Sequence, residues 1–126
     1  MNALDSSTHK NQPFLFRFRC ACAGIAHALR AEHSLRFQIV CLIGVIVMLV
    51  VLRPAPIWWA AVALACGGVL AAELMNTAIE NLADLLHPEV HPALRIVKDC
   101  AAGAVLVATV AALGVAGALI VQYIIV

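Results

Sequence analysis

With 126 residues the chain is one domain in length, and 64% hydrophobic content, 12% charged residues and a mean hydropathy of +1.01 set it far from soluble domains. It reads as a membrane protein. A formal charge of +1 from only eight Lys and Arg against seven Asp and Glu excludes a phosphate-backbone surface, so no nucleic-acid partner is expected.

Residues 1–13, ending at Pro13, are polar and are expected to form a mobile tail. No apolar stretch with a small-residue cleavage site follows directly, so no secretory signal is expected. From about 14 to 32, Phe14, Phe18, Ile25 and Leu29 alternate with Arg17, Arg19, His27 and Arg30, the pattern of an amphipathic helix lying on a membrane surface.

A first span is expected at about 34–53. Its apolar core, Phe37 to Leu52, is about 24 Å long as a helix and reaches bilayer length by borrowing the residues before it. Arg53-Pro54-Ala55-Pro56 ends it. A second span at about 57–86 opens with Trp58 and Trp59, best read as interfacial anchors, and carries no charge from Ile57 to Ala72. His87-Pro88-Glu89-Val90-His91-Pro92 breaks the helix, since each proline removes a backbone donor and turns the preceding residue away from helical geometry. The prolines also prevent His87 and His91 from aligning as a metal pair, and both read as solvated loop residues. A third span at about 94–126 begins with Arg95, Lys98 and Asp99. The fold class expected is therefore all-α: an N-terminal surface helix plus three transmembrane helices.

The cysteines Cys20, Cys22, Cys41, Cys66 and Cys100 are odd in number and mostly in apolar runs, so they read as small buried hydrophobes rather than a disulfide framework. Cys20-x-Cys22 lacks the second pair that a zinc site needs.

Basic residues set the orientation. With the N-terminus inside, Lys10, Arg17, Arg19, Arg30, Arg36, Arg95 and Lys98 are cytoplasmic and Arg53 alone is outside. The second span then runs inward. At about 100° per residue, Glu73, Asn76, Thr77, Glu80 and Asp84 fall on one narrow face of it, while Leu, Met, Ala and Ile occupy the others. Counted from Ile57, Glu73 lies about 24 Å along the axis, near the inner edge of a hydrocarbon layer roughly 30 Å thick, and Glu80 lies about 10 Å further in. A carboxylate near that edge needs a partner or a use.

Small residues recur four apart at Ala104, Ala108, Ala112 and Ala116, and at Gly67/Ala71 and Gly68/Ala72, which suits close helix association. So short a chain has few groups with which to enclose the acidic stripe, and an oligomer with sites near subunit boundaries is expected. Clustered acidic groups at a membrane surface serve three ends: binding a hard divalent cation, general base catalysis, or carrying ions or protons. Ion conduction is disfavoured because the outer part of the second span has no ionisable group. Divalent binding is better supported, with Glu32, Glu80, Asp84 and Asp99 in one inner layer beside Lys98, an arrangement suited to a polyphosphate. No Gly-x-x-x-x-Gly-Lys-Ser/Thr loop, kinase catalytic loop or nucleophile elbow is present.

The segments Ala72-Glu73-Leu74-Met75-Asn76-Thr77-Ala78-Ile79-Glu80-Asn81-Leu82-Ala83-Asp84, Glu89-Val90-His91-Pro92 and Lys98-Asp99-Cys100-Ala101-Ala102-Gly103-Ala104-Val105-Leu106 carry a resemblance. Upstream, Gly24-Ile25 and Glu32-His33-Ser34-Leu35-Arg36 stand at matching distances. From about Phe14 to Val126 the chain resembles the small prokaryotic lipid kinases, the integral-membrane diacylglycerol and undecaprenol kinases. The resemblance implies a homotrimer in the bacterial inner membrane that uses ATP and Mg²⁺ to phosphorylate a membrane lipid alcohol at the cytoplasmic face. It implies Glu73 as general base, Glu32 and Glu80 as Mg²⁺ ligands, and Glu89, His91, Lys98 and Asp99 as nucleotide contacts. Asn76, Asp84, Ser34 and Arg36 would support the site or meet the substrate. Without the resemblance, Lys98 and Asp99 are an ordinary ion pair opening a helix. Cys20 and Cys22 stand where other members often place larger residues, which leaves nucleotide contacts from Arg17 or Arg19 unsupported. His91-Pro92 and the Ala-Ala-Gly-Ala-Val segment are closer to the undecaprenol kinase branch. A non-catalytic membrane subunit and a small ion conductor are the readings from other functional classes.

Overall fold

A computed structural model describes residues 12–86 and 91–125, and they form four helices: α1 (Phe14–Ala31), α2 (His33–Leu52), α3 (Pro56–Leu86) and α4 (Pro92–Ile125). Most of the expected tail, with Glu89 and His87, lies outside the described residues.

Each break has a local cause. Pro13 opens α1, and its carbonyl accepts from the N–H groups of Phe16 and Arg17 at 3.0 and 3.2 Å. Glu32 adopts an extended backbone (φ −104°, ψ 122°) that ends α1 and starts α2. Arg53 sits in the left-handed region (φ 47°, ψ 53°) while its N–H bonds Leu49 O at 2.9 Å, and this closes α2. Pro56 and Pro92 occupy the first positions of α3 and α4, where a missing N–H costs nothing. That preference is why α4 starts ahead of Leu94. The His91 side chain adds a cap, its Nδ1 accepting from Ala93 N–H at 3.2 Å.

α2, α3 and α4 are each long and apolar enough to cross a membrane. With 20, 31 and 34 residues they are about 30, 46 and 51 Å long, so α3 and α4 exceed a hydrocarbon layer of roughly 30 Å. The excess falls at one end. The Tyr123 hydroxyl near the end of α4 donates to Leu52 O at the end of α2 at 3.1 Å, which aligns those ends, so the overhang is the C-terminal part of α3 and the N-terminal part of α4.

α4 packs along α3 more extensively than any other helix pair, and α1 touches both α2 and α3. Leu49, Val62 and Leu119 form a core near the Leu52 end, surrounded by Val45, Met48, Trp58, Cys66 and Val115. A second set of buried residues, Ala28, Leu35, Glu73, Thr77, Ala83 and Ala101, lies toward the overhang. Between them is a cavity of about 390 Å³ lined by α2, α3 and α4, its walls apolar apart from Gln38 and Thr109.

Only 11%, 11% and 6% of the three most apolar windows is buried within the chain, so the remainder must face lipid or other subunits. The cysteines follow suit. Cys20, Cys22, Cys41 and Cys100 are exposed and Cys66 is half-buried, which corrects the expectation of buried thiols: a single layer of helices has too little interior to hold them. A Cβ added at Gly67, Gly68 or Gly103 would meet nothing within 4 Å, so these small residues mediate no close helix contact inside one chain.

Candidate functional site

The polar stripe of α3 runs from a buried end to an exposed one. Glu73 and Thr77 are each 5% exposed, Asn76 and Glu80 are half-buried, and Asp84 is in the open. This gradient follows from geometry, because α3 leaves the packing of α2 and α4 as it extends into the overhang.

Every described carboxylate of the stripe has a partner. The Ser34 hydroxyl, on the first turn of α2, donates to Glu73 Oε1. Asn76 Nδ2 donates to Glu80 Oε1 at 3.0 Å, one helical turn along the same face. Lys98 Nζ on α4 bonds Asp84 Oδ1. Arg95 Nε stands 4.0 Å from Asp99 Oδ2 on the exposed face of α4, so the nearest cation to Asp99 is on its own helix.

The structure thus brings Ser34 to Glu73, Asn76 to Glu80 and Lys98 to Asp84. Glu32 occupies the α1–α2 joint half-buried, and its side chain makes no capping bond. Arg36 and His91 are exposed. Among the described residues no three His, Cys, Asp or Glu side chains gather as a metal-holding group, so Glu32, Glu80, Asp84 and Asp99 do not form one cluster in this chain. That donor set still fits Mg²⁺. The ion prefers one or two carboxylates completed by phosphate oxygens and water to an all-protein cage, and Glu80 keeps Oε2 outside its bond to Asn76.

Of two buried polar groups left unbonded, Gln38 escapes the sequence pattern, whereas Asn76 belongs to the expected stripe. Gln38 Oε1 and Asn76 Oδ1 are buried without a hydrogen-bond partner among the described residues. For Gln38 a signal exists, since it is the lone polar residue between Phe37 and Leu52 and stands one turn from Ser34. A buried carboxylate bonded to a hydroxyl, with a second carboxylate and a lysine-bonded aspartate further along the same helical face, has the groups needed to accept a proton and to meet a polyphosphate.

Comparison with known proteins gives the family. The model of the prokaryotic diacylglycerol kinase family matches residues 19–120. The chain belongs to that family. An undecaprenol kinase of Bacillus subtilis (strain 168) is 35% identical over 106 residues, which cover 82% of this chain and 86% of the relative. A diacylglycerol kinase of Synechocystis sp. is 38% identical over 107 residues, covering 84% of this chain and 61% of that longer protein. No solved structure gives a match. The family is one of lipid kinases, so the chain is an enzyme, where its composition alone had left a non-catalytic subunit and an ion conductor open. The matched residues contain the whole stripe, Ser34 and Lys98-Asp99.

Proposed function

We propose that this lipid kinase transfers the γ-phosphoryl group of ATP to the hydroxyl of a membrane lipid alcohol, a diacylglycerol or undecaprenol, with Glu73 as general base. The observation that carries the proposal is the burial of Glu73 with a hydroxyl already bonded to it, and the length of the charge-free run before it supports a depth near the inner edge of the hydrocarbon layer. A lipid hydroxyl stays at that depth, and a water-soluble triphosphate reaches it from the overhang. The lipid O–H gives its proton to Glu73 as the new O–P bond forms, the bond from Pγ to the bridging oxygen breaks, and ADP leaves. Catalysis is then mainly positioning and charge compensation.

Glu80 and Glu32 are the residues that would hold Mg²⁺. When bound, the ion would offset negative charge on the phosphates. Lys98 supplies a fixed cation beside them, with Asp99 and His91, and Glu89 beyond the described residues, as further nucleotide contacts. Asp84 holds Lys98, and Asn76 holds Glu80. Arg36, exposed just after Ser34, meets the lipid headgroup region. α1, with Arg17, Arg19 and Arg30, lies on the cytoplasmic surface of the inner membrane.

A homotrimer accounts for the large exposed apolar area of the spans and for the open space at Gly67, Gly68 and Gly103. It would also bring carboxylates of neighbouring subunits to a metal site for which no three donors gather among the described residues of one chain. The undecaprenol kinase relative, matched over most of its length, favours undecaprenol as acceptor. Radiolabel transfer from ATP to each lipid in detergent micelles tests the activity, and Glu73→Gln tests the base. Wild-type turnover in that variant would refute the assignment.

A further inference from the structure

We infer that Ser34 is the positioning residue for Glu73, an inference that rests on the reading of Glu73 as the base. Glu73 is 5% exposed, and a carboxylate so far from water needs a donor to offset its lost hydration. Ser34 provides one from another helix, thirty-nine residues away in the chain. Its place is fixed by the backbone. The extended Glu32 ends α1, His33 starts α2, and Leu35, 2% exposed, anchors that first turn.

The terminal torsion of a glutamate is broad, so an unbonded carboxylate turns freely. Bonding Oε1 to Ser34 fixes the plane of the group and leaves Oε2 for the substrate. Ser34 is itself a primary alcohol, and it makes to Glu73 the same bond that an acceptor lipid must make to lose its proton. Two hydroxyls therefore share one carboxylate, Ser34 on Oε1 to orient it and the lipid on Oε2 to react. Ser34 itself is exposed, so the orienting bond lies at the outer edge of the contact between α2 and α3.

The test compares full-length Ser34→Ala, Ser34→Thr and Ser34→Cys in mixed lipid–detergent micelles. Removing the orienting bond is expected to lower kcat about ten- to a hundredfold, since a small misplacement of a reacting group costs up to that much. The KM values for lipid and for Mg-ATP should stay within about twofold of wild type, because neither substrate loses a contact. Threonine keeps the hydroxyl and should recover most of the rate, whereas cysteine, close in size but a weak donor, should behave like alanine. Wild-type kcat in Ser34→Ala or Ser34→Cys overturns the inference, as does a loss confined to the lipid KM. So does a folded Ser34→Thr as impaired as Ser34→Ala. An active Glu73→Gln control would instead remove the base assignment, and the orienting role with it.

Discussion

Lys98 on α4 bonds Asp84 on α3 through Nζ and Oδ1, and so joins the two longest helices in the part where both outrun α2. The Lys98 side chain is 34% exposed and that of Asp84 68%, so the lysine is held against the stripe and its partner is largely in water. Such a pair contributes only about 0–1 kcal/mol to stability. Its value lies in where it keeps the charge. We predict that Lys98→Met raises the KM for Mg-ATP by about tenfold, the equivalent of roughly 1.4 kcal/mol, and leaves the thermal midpoint in detergent nearly unchanged. Steady-state kinetics with varied nucleotide, beside a melting curve, check both halves.

Glu80 spends one carboxylate oxygen on Asn76 and keeps the other. Glu80→Gln retains the shape and a polar group but loses the charge that attracts a divalent cation. The Mg²⁺ concentration giving half-maximal rate should rise at least about tenfold, a change seen for lost carboxylate ligands and their supports. Titrating MgCl₂ at fixed ATP measures it, and an unchanged midpoint would remove Glu80 from the metal.

Leu119 is 0% exposed and fills the space between Leu49 and Val62. Leu119→Ala leaves a cavity and should destabilise the protein by about 2–5 kcal/mol. Lying far from the stripe, it should leave kcat per folded enzyme unchanged. Tyr123→Phe removes only the bond to Leu52 O and should cost about 0.5–1.5 kcal/mol. Denaturation in detergent gives both values.

Three spans, the turn at Arg53 to Pro56 and the single polar face of α3 were all visible in the order of residues. Charge-free runs of bilayer length and the 3.6-residue period are local properties. What was not visible depends on packing. Nothing near Ser34 in the chain announces Glu73 as its partner, and nothing near Lys98 selects Asp84 over Arg95's neighbour Asp99. The exposed cysteines were misread because apolar runs in a bilayer face outward as readily as inward, so hydropathy does not report burial there. The left-handed backbone of Arg53 was equally hidden, since Gly or Asn is the usual signal for it.

That backbone gives a further prediction. A non-glycine residue in the left-handed region is strained by about 1–3 kcal/mol. Arg53→Gly should therefore raise stability by about 1 kcal/mol, and it also removes the lone basic residue expected outside, which strengthens the orientation. A lowered melting midpoint would show that the Arg53 side chain makes contacts of greater worth than the strain.

The central claim is that Glu73 takes the proton from a lipid hydroxyl as phosphate arrives from ATP. It is tested most directly by following label from γ-³²P-ATP into diacylglycerol and undecaprenol, with wild-type enzyme and Glu73→Gln side by side and nucleotide binding measured on both. The account predicts labelled lipid monophosphate from the wild type, a loss of at least about a hundredfold in the variant, and similar Mg-ATP binding by the two. Equal label in both, or none in the lipid from wild-type enzyme that binds Mg-ATP, would contradict it.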